Sequence, residues 1–246
     1  MSLLENYVDR VRSVLEPLAA EARTIPADAS LAVPKGRGAG LVLASDAVAE
    51  LGSPEQSAAH LLLYSNTPAE DRVLLVGSDI ESLSEQKVPF ACVVILHGAG
   101  LTAEAYYQCV TRFPRYADLP GWQVRVAREK MWVRAAASDL GAPSFARAAS
   151  TLIGRIKADF PAVETVQLWF VTGHESVVKA LAAVAVEELE AARGIKENVW
   201  KERGFDYKSC QLAGHCGGCA DKKTCASVRS MEARVKVHRR DQLKKE

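Results

Sequence analysis

Three short runs constrain what this chain can fold into more than any other feature. TVQLWFVT (165–172) is the clearest strand in the chain, and RVLLVG (72–77) and FACVVILHG (90–98) are continuous, apolar and β-branched, with turn residues bounding them. A strand with one wet face alternates apolar with polar residues, so unbroken runs of this kind predict strands buried on both faces. Helical periodicity fills much of the remainder. Residues 3–22 place Leu4, Tyr7, Val8, Val11, Leu15, Leu18 and Ala22 at three- and four-residue spacing, with Asp9, Arg12, Glu16 and Arg23 opposite. That spacing predicts one amphipathic helix. A helix capped by Thr102 should follow Gly98, with Glu104 in its first turn. Pro143 to Phe160 is helical, with Ala146, Ala149, Leu152, Ile153 and Ile156 on one side. His174 to Arg193 gives a further helix through Val177, Val178, Leu181, Val184 and Leu189. WQVRVA (122–127) alternates like a strand with one exposed face, and KMWVRAAA (130–137) follows it.

Strands alternating with helices predict an α/β fold: a layered mixed sheet with flanking helices, an N-terminal helix and a C-terminal cysteine-rich metal-binding loop. Three segments are expected: a helix and linker over 1–38, an α/β domain over 39–204, and a Cys-rich loop with a basic helix over 205–246. The linker, TIPADASLAVPKGRGAG, collects Pro, Gly and Ser ahead of the apolar run Leu41 to Ala44. Lys35-Gly36-Arg37-Gly38 within it lacks the lysine spacing of a phosphate-binding P-loop and reads as plain loop.

Charge narrows the function classes. The 246 residues hold 31 Lys and Arg against 30 Asp and Glu, a net charge of +1. That balance removes the electrostatic motive for wrapping nucleic acid or coating an acidic membrane. No stretch reaches the roughly 18 to 20 apolar residues that span a bilayer, and the first residues do not form a basic segment followed by an apolar block. A cytoplasmic protein is expected. The segment 229–245, RSMEARVKVHRRDQLKK, reads as a solvated basic helix or as a dock for an acidic partner such as a redox protein or larger enzyme subunit.

Cys210, Cys216, Cys219 and Cys225 follow the spacing C-x5-C-x2-C-x5-C. So compact a thiolate set in a chain with no export signal points to one metal centre rather than disulfides. Structural zinc sites usually pair two short knuckles, whereas this segment has one knuckle between two wider arms. Iron–sulfur clusters commonly take uneven spacing, so a [4Fe–4S] cluster is the preferred reading and zinc the alternative. Gly214, Gly217 and Gly218 let backbone N–H groups approach sulfur, and Lys222, Lys223 and Arg229 add positive charge nearby. His215 reads as a surface residue. Cys92 and Cys109, in a strand and a helix, read as core. His60, His97 and His174 have no Ser, Asp or Cys at a spacing that marks a triad, and read as structural.

From Leu41 to Cys225 the sequence resembles the middle and cluster-bearing region of the catalytic β-type subunit of the carbon monoxide dehydrogenase/acetyl-CoA synthase complex. The similarity is ordered along the chain: VLLVGSDIE (73–81), VPFACVVILHG (88–98), WVR (132–134), IKADFPAVETVQLWFVT (156–172) and the YKSC entry to the first cysteine (207–210). The resemblance implies a coenzyme A surface at Trp122, Arg125, Arg128, Trp132 and Arg134. Aromatic faces and guanidinium groups suit an adenine ring and phosphates. Aromatic core contacts with surface arginines are the alternative for that stretch.

The departures shape the expectation. The family continues beyond its cubane ligands into a Cys-Gly-Cys segment that holds a nickel pair, which is not found after Cys225. The four cysteines are also spaced differently, so only Cys210 maps directly. The chain is thus expected to be a truncated homologue: an iron–sulfur electron-transfer or accessory subunit in carbon monoxide/acetyl-CoA metabolism, without complete acetyl-CoA synthase activity of its own. A larger redox or one-carbon enzyme subunit is the expected partner. The alternatives are an acyl-CoA- or corrinoid-protein-binding enzyme component that uses the cluster, and a zinc-stapled binding module.

Overall fold

The computed structural model describes residues 5–34, 41–83, 87–102, 105–106, 109, 119–127 and 129–202, with 5 and 192–202 as backbone alone. Its contacts divide the chain into two units, Met1–Lys196 and Glu197–Glu246. Both sheets and the helical residues packed on them belong to the first unit.

The elements are α1 (Glu5–Leu15), β1 (Arg23–Ile25), β2 (Ala49–Leu51), β3 (Ala58–Ser65), β4 (Arg72–Val76), β5 (Lys87–Val88), β6 (Phe90–His97), β7 (Trp122–Ala127), β8 (Lys130–Ala135), α2 (Phe145–Asp159), β9 (Thr165–Thr172) and α3 (Glu175–Glu202). Five strands form one sheet in the order β1-β4-β9-β6-β3, and four form a second in the order β5-β2-β8-β7. Both are mixed: β4 runs parallel to β9 and β3 to β6, whereas β6 and β9 are antiparallel. The described residues adopt the expected α/β class with flanking helices, with two mixed sheets where a single layered sheet is expected from the sequence.

The unbroken apolar runs are explained by helices or sheet on both faces of the larger sheet. All eight residues of β6 are buried. Ala91, Val93 and Ile95 join Val8, Val11 and Leu15 of α1 and Val178, Leu181 and Val184 of α3. Phe90, Cys92, Val94 and Leu96, on the other face, join Leu152, Ile153 and Ile156 of α2 and the inner face of the smaller sheet. The strand period of two sends alternate residues to opposite cores. An aromatic cluster centres on Phe145, whose ring stacks at 4.6 Å on Phe170 and meets the edge of Trp122 at 6.0 Å. Such pairs add about 0.5–1.5 kcal/mol each beyond the area they bury.

Local signals set the ends of the helices. Ser144 Oγ accepts from Arg147 N at 3.3 Å and caps α2. Thr102 Oγ1 accepts from Ala105 N at 3.2 Å, the cap expected for the helix that follows Gly98. The first helix is shorter than its periodicity suggests, because Pro17 enters a 3-10 turn at Glu16–Leu18. The chain then forms β1 within the stretch expected to be linker, pairing antiparallel with β4. Leu41 and Leu43, from the next apolar run, lie in coil and are exposed. Lys35 to Gly38 fall outside the described residues. Among the described residues, no helix is long and apolar enough to cross a membrane.

Candidate functional site

The hairpin of β7 and β8 sorts its side chains by strand alternation. Trp122, Val124 and Val126, with Met131, Val133 and Ala135, pack toward the core. Gln123, Arg125 and Ala127 therefore share the outer face with Lys130, Trp132 and Arg134. The register sets Arg125 opposite Trp132 and Gln123 opposite Arg134. Arg134 in turn pairs with Glu50 on β2, and Glu50 with Lys87 on β5. A polar row therefore crosses all four strands.

This face forms one wall of a pocket of about 730 Å³, with the loop that follows β2 as another. Arg134 is anchored from both sides: its Nε donates to Glu50 Oε1 at 2.6 Å and its Nη1 to the Val42 carbonyl at 3.0 Å. Its Cζ lies 4.6 Å from the centroid of the Trp132 ring, and that of Arg125 lies 5.4 Å from it. Both distances are within cation–π range. Lys87 Nζ meets Glu55 Oε2 at 2.5 Å, and this hydrogen bond holds the ammonium pKa above its usual value.

Two polar atoms of the lining are buried with no hydrogen-bond partner among the described residues, Ser53 Oγ and Trp132 Nε1. Ser53 is 1% exposed. Leaving such groups unpaired costs about 1–3 kcal/mol each, so a ligand atom that satisfies them gains affinity. The loop that carries Ser53 is pinned. Gly52 N donates to the Val88 carbonyl at 2.9 Å and Gln56 N to the Ser53 carbonyl at 2.8 Å. Gly52 has a φ of +61°, and a Cβ there would stand 2.5 Å from the Met131 carbonyl oxygen. Only glycine suits that close approach.

Of the five residues assigned to a coenzyme A surface, Arg125, Trp132 and Arg134 line this pocket together. Trp122 does not. It is 4% exposed and packs in the core beneath the hairpin, where it borders an apolar gap of about 40 Å³ with Phe90 and Phe170. It is an even-numbered residue of β7 and so points away from Arg125, which corrects its grouping with the surface residues. Arg128 lies outside the described residues. Glu50, Ser53, Lys87 and Lys130 were not anticipated. Lys130 was legible in the KMWVRA alternation, but Glu50 and Lys87 sit on strands of three and two residues, too short for any period to show.

Cys210, Cys216, Cys219 and Cys225 lie outside the described residues. Within the described residues, no group of three or more His, Cys, Asp and Glu side chains could hold a metal ion. Cys92 and Cys109 are buried and unbridged, and burial pushes the Cys92 thiol up to about 12. Each packs as a small apolar residue. His97 is buried, its Nδ1 2.8 Å from the Thr67 carbonyl. His174 Nε2 stands 3.7 Å from Glu21 Oε2. No model of a known protein family matches the chain, and no curated protein matches it.

Proposed function

We propose that this chain is an iron–sulfur protein of carbon monoxide/acetyl-CoA metabolism that binds coenzyme A on the outer face of its smaller sheet. The observation that carries the reading is the convergence of Arg125, Trp132 and Arg134 on one pocket of about 730 Å³. The acetyl-CoA synthase resemblance assigns these residues to coenzyme A, and the volume lies within the range of nucleotide-sized ligand sites. Guanidinium forks pair with phosphate oxygens, and an indole presents a flat apolar face to a purine. An electron carrier has no need of such a pocket, which favours an acyl-CoA-binding component over a carrier alone.

The four cysteines supply the thiolate donors that a [4Fe–4S] cluster takes, and the bound cluster would provide single-electron transfer. Around the pocket the protein's own work is binding and orientation. Glu50 fixes Arg134, both guanidinium groups lie within cation–π distance of Trp132, and Ser53 and Trp132 offer buried polar atoms.

The test uses the full chain purified without oxygen and titrated with coenzyme A while tryptophan emission is followed. A saturable change that Trp132→Ala abolishes supports the binding role, and no response sinks it. Iron and sulfide in equal amounts support the cluster. A colourless protein holding one zinc overturns it in favour of the zinc-stapled module.

A further inference from the structure

Within the coenzyme A reading, on which this inference rests, the charges around the pocket are unevenly matched. Its lining carries four cations, Lys87, Arg125, Lys130 and Arg134, and two carboxylates, Glu50 and Glu55. Each carboxylate is taken: Glu50 by Arg134 at 2.6 Å and Glu55 by Lys87 at 2.5 Å. Arg125 and Lys130 remain without an ion pair among the described residues.

These two cations belong to the same hairpin and the same face. Arg125 is opposite Trp132, and Lys130 is opposite Ala127, so they are diagonal neighbours across the ladder, about 7–8 Å apart at the backbone. Long side chains from such positions can close on a single anion. Ala127, facing Lys130, offers only a methyl group and leaves space there. Arg125 is already held over the Trp132 ring, so less conformational freedom is lost when it binds. Ser53, in the same lining, adds a buried hydroxyl that has no protein partner.

We propose that the hairpin end of this pocket is a subsite for a dianionic phosphomonoester, held by Arg125 and Lys130. A phosphomonoester concentrates a charge of about −1.5 to −2 on one phosphorus at neutral pH. It therefore neutralises two adjacent cations from one point, and the arginine fork can pair with two of its oxygens. A pyrophosphate bridge spreads its charge over two phosphorus atoms and matches the pair less well. In coenzyme A the group with this chemistry is the ribose phosphomonoester, so the subsite would distinguish coenzyme A from its dephospho form.

The experiment is calorimetric titration of the full chain with coenzyme A and with dephospho-coenzyme A, which keeps the pyrophosphate and lacks the phosphomonoester. Coenzyme A should bind at least about tenfold more tightly. Both side chains are exposed on the solvent face, so Arg125→Ala and Lys130→Ala should fold as the parent does, and each should narrow that preference toward equality. Equal binding of the two ligands by the parent chain overturns the subsite and leaves the coenzyme A reading in place. A preference that survives both substitutions also overturns it, since the phosphate is then held by other residues. Binding of neither ligand overturns the coenzyme A reading itself.

Discussion

The Tyr106 hydroxyl and the Glu188 carboxyl lie 2.8 Å apart in the interior, beside the outer edge of β3. The same hydroxyl reaches the Leu62 carbonyl of that edge strand. The phenol O–H is shared between these two acceptors. Burial pushes the Glu188 carboxyl up from 4.5 to about 7, against the Tyr106 hydrogen bond that favours its charged form, and pushes the Tyr106 phenol well above its usual value. The arrangement satisfies an edge carbonyl that would otherwise be open to another strand.

This pair makes stability depend on pH in a defined direction. Between pH 4.5 and 7 the folded chain keeps a proton on Glu188 that the unfolded chain has lost. The contribution of this group is therefore complete below pH 4.5 and declines as pH rises through 7, by on the order of 3 kcal/mol. Glu188→Gln keeps a side-chain oxygen to accept from Tyr106 and removes the titration. Denaturant unfolding at pH 5 and pH 8 should show a loss in the parent that the variant lacks. Parallel pH profiles would refute the assignment.

Trp122 and Trp132 should separate stability from binding. Trp122→Ala empties a core position against Phe145 and should cost about 3–5 kcal/mol. Trp122→Phe, which still fills most of that space, should bind coenzyme A as the parent does. Trp132→Ala should weaken coenzyme A at least about tenfold with a smaller effect on unfolding. A binding defect confined to the Trp122 variants would reverse the placement of the site.

Glu50→Gln provides a test of sign. Removing an acid makes the pocket more positive, so a site governed by net charge alone would bind an anion more tightly. Glu50 instead holds Arg134 in place, with side chains only 12% and 19% exposed. Its loss should weaken coenzyme A binding and cost about 1–3 kcal/mol of stability. Tighter binding in the variant would show that Arg134 needs no such anchor.

Gly52→Ala should destabilise the fold by more than about 1 kcal/mol, through the positive φ and the approach to the Met131 carbonyl. Because the loop carries Ser53, coenzyme A binding should weaken as well. Thermal unfolding and titration of the same sample would read both effects, and an unchanged melting temperature would contradict the geometry.

For the proposed iron–sulfur centre, Cys219→Ser should lose iron and acid-labile sulfide together along with the visible absorbance of thiolate-bound iron. Retention of the full iron content would remove Cys219 from the ligand set.

Much of the fold could be read along the chain because local patterns reported it directly. The runs ending at Val76, His97 and Thr172 are strands, and the periodic segments around Val11, Ile153 and Leu181 are helices. AAHLLLYS, which forms β3, carries the same kind of apolar signal but lies outside the runs expected to be strands. The cap at Thr102 was legible from one side chain. β1, β2 and β5 were not, because two or three residues cannot display a period and their pairing partners are distant: Ile25 with Val73, Leu51 with Val133 and with Val88.

The site divides along the same line. Sequence by itself determined the α/β class, the cysteine spacing that suits a metal, and the presence of Trp and Arg side chains fit for a nucleotide. Only the tertiary structure decided which of them share a surface. Strand alternation turns Trp122 into the core and Trp132 out of it, and sheet register brings Glu50 to Arg134 across 84 residues of chain. Composition names the groups available to bind a ligand, but cross-strand hydrogen bonding sets which charges are already neutralised and which remain free.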